Sequence, residues 1–253
     1  MNEKTVTCAT AQGPRNYQED RYFTKRIEAA NCHGWLLAVM DGHNGGAVAD
    51  LCAKEINACF ALESADRCEE ALRNLVVALN KKTSWMSEGS TFSAVCVLES
   101  HNKAIVAVLG DSPVIIRDAE GALHVSPEHN VRTNLQERKA AEERGGMYLW
   151  GYVWNRSERD LQISRALGDA HLADILSREP EVYAINNPAW ILVASDGIID
   201  PEHADMEALA KDVAELAAQK ASANDVLTWA AKRGLKDNAT AIVWHASKNM
   251  QTE

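Results

Sequence analysis

The sequence predicts a layered α+β sandwich rather than a doubly wound parallel sheet, and three observations support this class. Short β-prone runs occur in blocks, paired helical segments lie at separate points, and no compositional break divides the 253 residues. The chain is 46% hydrophobic and 25% charged, which is typical of a globular protein and excludes a disordered, collagenous or membrane-spanning chain.

The predicted strands are short apolar runs, most of which end near Gly, Asp, Ser or Pro. They cover residues 35–40, 91–98, 104–109, 114–117, 190–194 and 241–244. The three runs between residues 91 and 117 are separated by short turns, which predicts an antiparallel meander.

The predicted helices place apolar residues on one face at helical spacing. Three of them cover residues 47–62, 68–79 and 206–218, whereas a fourth, over residues 134–144, is a charged helix that ends at Gly145-Gly146 and is expected on the surface. A fifth is expected to begin at Ser222-Ala223-Asn224-Asp225, which is typical of a helix start, and to end at Gly234.

Residues 147–154 contain aromatic side chains at every second position, namely Tyr148, Trp150, Tyr152 and Trp154. This alternation predicts one strand with four aromatic side chains on the same face. Packing of that face in the core is favoured over a binding surface. A turn through residues 155–160 would return the chain along residues 161–164.

The charge balance bears on possible partners. Lys and Arg number 26 against 36 Asp and Glu, which gives a formal net charge of −10. A nucleic-acid-binding protein needs a basic face to displace counterions, so we expect no nucleic-acid partner. A net-acidic chain can still hold cations.

Several features favour an intracellular protein. The first residues lack the apolar run of a signal peptide, position 2 is not the Gly that myristoylation needs, and no apolar stretch approaches a membrane span. The six cysteines form no C-x-x-C pair, which argues against zinc and fits reduced thiols. We expect a cytoplasmic protein, with the nucleus as the alternative, that is not secreted and has no membrane partner.

Carboxylate side chains recur where a predicted strand meets a loop, at Glu19, Asp20, Asp41, Asp111, Asp196 and Asp237. Any one of them alone would be a turn residue or a helix cap. Counted with adjacent Glu19 and Asp20 as one, five such sites with little Lys or Arg nearby instead imply a bound cation, because an unpaired carboxylate is costly to bury. An all-oxygen ligand set indicates Mg²⁺ or Mn²⁺ rather than zinc. Two such ions that share a carboxylate form a common phosphoester-hydrolysing device.

Two residues beside these acids fit phosphoester chemistry. Arg15, four residues before Glu19, can present a planar fork to a phosphate. His43, two residues after Asp41, can supply a proton to a leaving oxygen. By itself Arg15 would be a surface charge and His43 a loop histidine, but their positions beside the acids favour catalytic roles.

Seven motifs in the same order resemble those of the metal-dependent Ser/Thr protein phosphatases of the type 2C family. Residues 13–20 are similar to G-x-R-x-x-x-E-D, residues 39–45 to V-x-D-G-H-x-G, and residues 89–92 to G-S-T-A. The other four are Gly110-Asp111-Ser112, Ser164-Arg165-Ala166-Leu167-Gly168-Asp169, Ala194-Ser195-Asp196-Gly197-Ile198-Ile199-Asp200 and Asp237-Asn238. Together they extend over nearly the whole chain.

The resemblance implies a four-layer α-β-β-α sandwich of two antiparallel sheets flanked by helices. It also implies two Mn²⁺ or Mg²⁺ ions per subunit at one end of the sandwich. Asp41 would bridge both ions, Asp196 and Asp237 would complete one of them, and Glu19 and the Gly42 carbonyl would serve the other.

The resemblance further implies roles for the surrounding residues. Arg15 would orient the phosphate, His43 would act as general acid, and a metal-bound hydroxide would attack phosphorus directly, without a phosphoenzyme. Asp20 would support the ligands from outside the coordination sphere. Asp111 and Asp200 match residues that help to hold a weaker third ion in some members.

The chain departs from the family pattern at two positions beside the inferred ligands. Pro113 follows Ser112 where the family usually has Arg, and Phe92 follows Thr91 where it has a small residue. These departures predict altered local packing. The segment 125–161 corresponds to the variable flap of the family, so we expect substrate choice to be particular to this chain.

Three functions are compatible with the sequence. The favoured one is a monomeric protein serine/threonine phosphatase that acts on phosphorylated Ser/Thr proteins. A catalytically silent member acting as a regulatory binding module should have lost a carboxylate that binds metal. All four inferred metal carboxylates are present, namely Glu19, Asp41, Asp196 and Asp237. A small-molecule phosphoesterase would use the same centre, so this alternative stays open.

We expect one catalytic domain over residues 1–247, a short tail over 248–253, and no room for a regulatory domain.

Overall fold

Two five-stranded antiparallel sheets form the centre of the fold in the computed structural model, which describes residues 5–29, 31–155, 160–199 and 206–246. The first sheet has the order β1 (Val6–Ala11), β16 (Ala239–His245), β15 (Pro188–Ala194), β8 (Val114–Asp118) and β9 (Leu123–Val125). The second has the order β14 (Glu181–Asn186), β7 (Lys103–Leu109), β6 (Phe92–Leu98), β3 (Cys32–Met40) and β2 (Arg21–Ala29).

Two smaller sheets of three strands each extend this core within the described residues. One has the order β13 (Leu167–Gly168), β5 (Gly89–Ser90) and β4 (Gly42–His43). The other has the order β10 (Met147–Leu149), β11 (Tyr152–Trp154) and β12 (Asp160–Leu161).

The described residues also contain five α-helices, which are α1 (Ala47–Cys59), α2 (Cys68–Thr83), α3 (Leu135–Glu143), α4 (Met206–Ala218) and α5 (Ala223–Arg233). Helices α1 and α2 contact the second sheet, and α5 contacts β1 and β16 of the first. None of the helices in this part of the chain is long and apolar enough to span a membrane.

Alternating side chains along the central strands build separate cores on the two faces of each sheet. In β3, Leu36 and Met40 pack with α1 and α2, whereas Leu37 and Val39 belong to a cluster that both large sheets share. A further cluster joins the first sheet to α4 and α5. The central strands are therefore buried on both faces, which explains their nearly continuous apolar sequences.

The structure confirms the α+β class, the antiparallel sheets and most of the predicted elements. Helix α5 begins with a complete capping box between Ser222 and Asp225 and ends at Gly234, whose φ is 89°. Helix α4 has the predicted bounds, and all six cysteines are unpaired thiols. Strands β1, β2 and β14 were not predicted because they lie at sheet edges, where exposed and buried residues mix and no apolar run marks them.

The predicted antiparallel meander is wrong in its third strand. Strands β6 and β7 pair as expected, but β8 pairs with β15 and β9 in the other sheet. The loop between β7 and β8 is bonded to both sheets, because the Ser93 hydroxyl donates to the Ser112 carbonyl (2.6 Å) and the Ala194 N–H donates to the Pro113 carbonyl (3.0 Å). The loop therefore carries the chain from one sheet to the other.

The predicted single strand over residues 147–154 is also wrong. Trp150 and Gly151 have φ values of 52° and 91° and form a two-residue turn between β10 and β11. Tyr148 pairs with Val153 on one face, so the aromatic side chains are divided between two faces. Glycine at the second turn position allows the reversal that the alternating pattern concealed. The expected return is confirmed, since β12 pairs with β11.

Candidate metal centre

Strand ends of the two large sheets gather the predicted carboxylates at one end of the sandwich. The second sheet contributes Glu19 and Asp20 before β2, Asp41 after β3 and Asp111 after β7, and the first contributes Asp196 after β15 and Asp237 before β16. The negative charge of Asp41 interacts with those of Asp20, Asp111 and Asp196, and that of Asp196 also with Asp237. The predicted Asp200 lies outside the described residues.

Asp41 is fixed by its main chain between β3 and β4. The Thr91 N–H donates to the Asp41 carbonyl (2.9 Å), and the Asp41 N–H donates to the Thr91 hydroxyl (3.0 Å). The same hydroxyl bonds with the Ser112 hydroxyl (2.7 Å), beside Asp111. Thr91 therefore links the loops that carry two of the carboxylates.

The loop of Asp196 is in direct backbone contact with the start of β16. The Ser195 N–H donates to the Thr240 carbonyl (3.0 Å), and the Thr240 N–H donates to the Ser195 hydroxyl (2.9 Å). A Cβ atom at Gly197 would lie 1.9 Å from the Asn238 carbonyl oxygen. Only glycine allows this approach, which explains the Asp-Gly sequence at this loop.

Asn238 holds the N-terminal loop against the centre, a role that the sequence did not reveal. Its buried side chain accepts from the Glu19 N–H (2.7 Å) and donates to the carbonyls of Gln12 (2.8 Å) and Tyr17 (2.9 Å). Asn238 therefore positions Glu19 relative to the neighbouring Asp237. Its place beside Asp237 in the last motif was the available sequence signal.

Asp20 is 3% exposed, and its two carboxylate oxygens differ in their hydrogen bonding within the described part of the chain. Oδ2 accepts from the Ser195 hydroxyl (2.7 Å), whereas Oδ1 lacks a hydrogen-bond partner within the described residues. Burial raises the pKa of Asp20, with a further contribution from the negative charge of Asp237. A buried, unpaired carboxylate oxygen is costly and indicates a cationic ligand nearby.

Burial and like-charge repulsion act together on Asp41 and Asp196. For Asp41, burial followed by the charges of Asp196, Asp20 and Asp111 raises the pKa well above its ordinary value. For Asp196, burial followed by the charges of Asp111 and Asp237 raises the pKa to about 8. A cation bound among these groups would favour their charged forms and reverse both shifts.

The donor set fits Mg²⁺ or Mn²⁺ by its chemistry, since it consists of carboxylate and carbonyl oxygens. Gly42 lies against Glu19, because a Cβ atom at Gly42 would be 2.7 Å from the Glu19 carbonyl oxygen. Within the described residues, no three His, Cys, Asp or Glu side chains are placed so that together they could hold a metal ion. Three observations therefore support a divalent cation here: the oxygen donors, the mutual repulsion of the carboxylates, and the Asp20 oxygen that has no hydrogen-bond partner among the described residues.

Arg15 has a partner that the sequence did not predict. Its guanidinium forms an ion pair with Asp237, and both side chains are partly exposed. The expectation that the acids lack basic partners is therefore wrong for Asp237, because the N-terminal loop folds onto the start of β16. The sequence could not show this contact, since 222 residues separate the two positions.

His43, on β4, bonds with a carboxylate that the sequence did not single out. Its Nε2 atom lies 2.7 Å from Oδ2 of Asp169, whose side chain is fully buried. A Cβ atom at Gly89 would lie 2.0 Å from Oδ2 of Asp169 and 2.1 Å from Nε2 of His43, so glycine makes room for the pair. Asp169 ends the fifth motif, and that position was the available signal.

Both departures from the family pattern are accommodated by packing. Phe92 is fully buried in the cluster that joins the second sheet to α1 and α2. Pro113 precedes β8, and its carbonyl accepts the Ala194 N–H. On the other side of Ser112, Asp111 accepts from the side-chain amide of Asn130 (3.0 Å).

A cavity of about 1180 Å³ opens beside the centre. Arg15, Asp111, Asp196 and Asp237 line it, and Trp150 of the β10–β11 turn contributes to its wall. A cavity of this size accommodates a ligand larger than a phosphate ion.

A family model described as "Protein phosphatase 2C" matches residues 6–239. A curated relative from Arabidopsis thaliana, "Probable protein phosphatase 2C 76", is 30% identical over 96% of this chain and 59% of its own length. "Protein phosphatase 1L" of Bos taurus is 26% identical over 98% of this chain and 74% of its own length. The chain thus spans about three fifths of the Arabidopsis relative.

The fold is similar to that of a solved phosphatase from Toxoplasma gondii, with a TM-score of 0.73 at 19% sequence identity. The similarity covers 95% of this chain and 92% of the Toxoplasma chain. At that identity the likeness concerns the fold alone.

Proposed function

Because this chain belongs to the protein phosphatase 2C family, we propose that it is a protein serine/threonine phosphatase that depends on a binuclear Mg²⁺ or Mn²⁺ centre. The family match confirms the resemblance carried by the seven motifs. The observation that supports the proposal most strongly is the electrostatic repulsion that Asp196 experiences from Asp41 and Asp237, beside a cavity of about 1180 Å³.

We assign Asp41 to both cations, Asp196 and Asp237 to one, and Glu19 with the Gly42 carbonyl to the other. Divalent cations held there would supply positive charge to the phosphoryl oxygens and lower the pKa of a water molecule. A weaker third cation would involve Asp111. Asp20, whose Oδ1 has no hydrogen-bond partner among the described residues, would help to retain the cations through its negative charge.

Arg15 is proposed to bind the phosphoryl group. Its guanidinium lines the cavity and is paired with Asp237. If Asp237 held a cation, its ion pair with Arg15 would weaken, and the guanidinium would be available to two phosphoryl oxygens. The planar fork fits a phosphate with two parallel hydrogen bonds.

His43 is proposed to give a proton to the leaving serine or threonine oxygen. Because Nε2 is bonded to Asp169, Nδ1 is the nitrogen that transfers the proton. Asp169 holds the orientation of the ring, as a buried carboxylate does beside other catalytic histidines. Asp169 is therefore a positioning residue.

The test is turnover of a phosphothreonine peptide with added Mn²⁺, compared with small phosphate esters and with Asp196→Asn as the inactive control. Hydrolysis of the peptide that Asp196→Asn abolishes would support the proposal. Binding of the peptide without turnover would favour a silent binding module. Hydrolysis of small esters without hydrolysis of the peptide would favour a small-molecule phosphoesterase, and either result would overturn the proposal.

A further inference from the structure

The turn between β10 and β11 has an unusual residue at its tip. Trp150 adopts a left-handed backbone conformation (φ 52°), and 84% of its surface is exposed. Two-residue turns with two positive φ values favour Asn, Asp or Gly at this position, because a bulky side chain is strained there. Backbone strain and the exposure of a large aromatic group to water both oppose this arrangement, and such outliers concentrate at functional sites.

The same hairpin has an open apolar face next to its tip. The register pairs Met147 with Trp154 and Leu149 with Tyr152, which places these four side chains on one face. Met147 and Leu149 remain 59% and 47% exposed. The hairpin thus presents an apolar surface to solvent. On its other face, Val153 is buried in a cluster with Val131, Ala141 and Ile163.

The hairpin is braced rather than loosely attached. The Arg138 guanidinium lies 3.7 Å from the centre of the Tyr148 ring, and the same side chain donates to the Val131 carbonyl (2.8 Å). Gly151 packs against the aliphatic part of Arg132 so closely that a Cβ atom would be 3.0 Å from it. A braced hairpin holds the backbone of Trp150 in place, so little backbone freedom is lost when that residue binds a partner.

The tip borders the cavity that contains the proposed phosphate site. Tyr148 and Trp150 line it together with Asp196 and Asp237. Arg233, the last residue of α5, and Lys236, which follows that helix, are exposed and line it as well. Since the carboxylates of the centre are assigned to cations, the cavity combines an apolar wall with a basic wall in a chain whose net charge is −10.

We propose that Trp150 and the basic pair Arg233 and Lys236 select substrates by the residues that flank the phosphorylated side chain. The occupant is a phosphorylated Ser/Thr segment with an aromatic or large apolar residue on one side and an acidic residue on the other. A roughly spherical cavity of that volume is about 13 Å across, which corresponds to about four extended residues at about 3.3 Å each. The proposal rests on the proposed phosphatase function.

The experiment uses four phosphothreonine peptides that differ only in their flanks: aromatic or alanine on one side, acidic or glutamine on the other. The wild-type protein with Mn²⁺ is expected to show a kcat/KM about tenfold higher for the aromatic than for the alanine flank. Trp150→Asn should bring this ratio close to one. Asparagine suits the turn, so the melting temperature should not fall. Trp85→Asn removes another exposed tryptophan, which is 74% exposed and does not line the cavity, and should keep the ratio.

The basic wall is tested in the same way. Lys236→Gln should reduce the preference for the acidic over the glutamine flank, and Lys232→Gln, on α5 outside the cavity, should not.

Equal kcat/KM for all four peptides, or an aromatic preference that survives Trp150→Asn, would overturn the inference. Dimerisation by sedimentation that Trp150→Asn abolishes would overturn it too, by assigning the face to a second copy. Failure of the phosphatase function is distinct, since no peptide would then be hydrolysed.

Discussion

At the scale of single residues, the hydrogen bond between His43 and Asp169 fixes which ring nitrogen can face a substrate. Proton donation matters most when the leaving oxygen is strongly basic, as a serine or threonine alkoxide is, and least for a nitrophenolate. The two substrates therefore separate a proton donor from a histidine that only supports the site.

His43→Ala is expected to slow hydrolysis of a phosphothreonine peptide by about 10²–10⁴-fold and that of p-nitrophenyl phosphate much less. Mn²⁺ affinity, measured by calorimetry, should change little because His43 is not assigned as a ligand. Equal losses on both substrates would indicate a structural or phosphate-positioning histidine.

Asp169→Asn keeps the shape of the side chain and removes its charge from a fully buried position. We expect kcat on the peptide to fall by roughly 10–100-fold, because the ring loses the carboxylate that holds its orientation. Combining it with His43→Ala should add little further loss, since residues that act as a unit are not additive. If the loss of kcat in the double variant equalled the product of the two single losses, His43 and Asp169 would act independently, which would contradict the proposed pairing.

Arg15→Lys tests the guanidinium against a simple positive charge. We expect KM for the peptide to rise about tenfold, because an ammonium lacks the fork that binds two phosphate oxygens. Mn²⁺ affinity should not weaken, since the arginine competes with cations for Asp237. Unchanged kinetics would show that Arg15 is only a surface charge.

At the scale of elements, the cap of α5 contributes stability that can be measured separately from catalysis. The Ser222 hydroxyl accepts from the Asp225 N–H, and the Asp225 carboxylate accepts from the Ser222 N–H (2.8 Å). Ser222→Ala is expected to cost about 1 kcal/mol and to lower the melting temperature by about 2–4 °C. Ser87→Ala, at an exposed loop position, is the matched control for calorimetry.

How much of the fold the sequence predicted depends on how local each feature is. The capped helix α5 and the doubly buried strand β3 were predicted because their defining residues are neighbours in the chain. The change of sheet at Pro113 depends on bonds to distant strands, and the reversal at Trp150 contradicts the usual preference for a turn residue. Local patterns cannot supply either feature.

The same distinction applies to the candidate site. The six carboxylate positions were visible as acids at strand ends. The bond between His43 and Asp169 spans 126 positions, and that between Asn238 and Glu19 spans 219. Partners of this kind become apparent only when the two sheets are folded together.

At the scale of the whole molecule, the raised pKa values make stability depend on pH. The folded form of Asp196, with its pKa near 8, binds more protons than the unfolded chain, whose aspartates titrate near 3.9. The free energy of unfolding therefore falls as pH rises from about 4 through 8. In chelator, we expect a lower melting temperature at pH 8 than at pH 5.5, with a smaller difference in Asp196→Asn. Asp174→Asn, which removes an exposed carboxylate, should behave like the wild type.

Divalent cations should reverse this dependence. At the proposed centre they would bind the deprotonated carboxylates of the folded state and stabilise it by mass action. We expect millimolar-scale Mn²⁺ to raise the melting temperature more at pH 8 than at pH 5.5, and Asp196→Asn to remove most of the rise. Identical melting in chelator and in Mn²⁺ would contradict the proposed centre.

The pairing of β1 with β16, in which Val6 lies opposite Trp244, constrains how a nascent chain acquires this fold. All five strands of the second sheet precede residue 187, so that sheet can assemble while synthesis continues. The first sheet has to wait for residues 239–245, and Asp237 leaves the ribosome almost as late. Until then β1 and β15 lack their shared neighbour and offer unpaired edges to other chains. A ribosome that stalls before residue 237 releases a product that lacks Asp237 of the proposed centre and leaves the edges of β1 and β15 open to other chains.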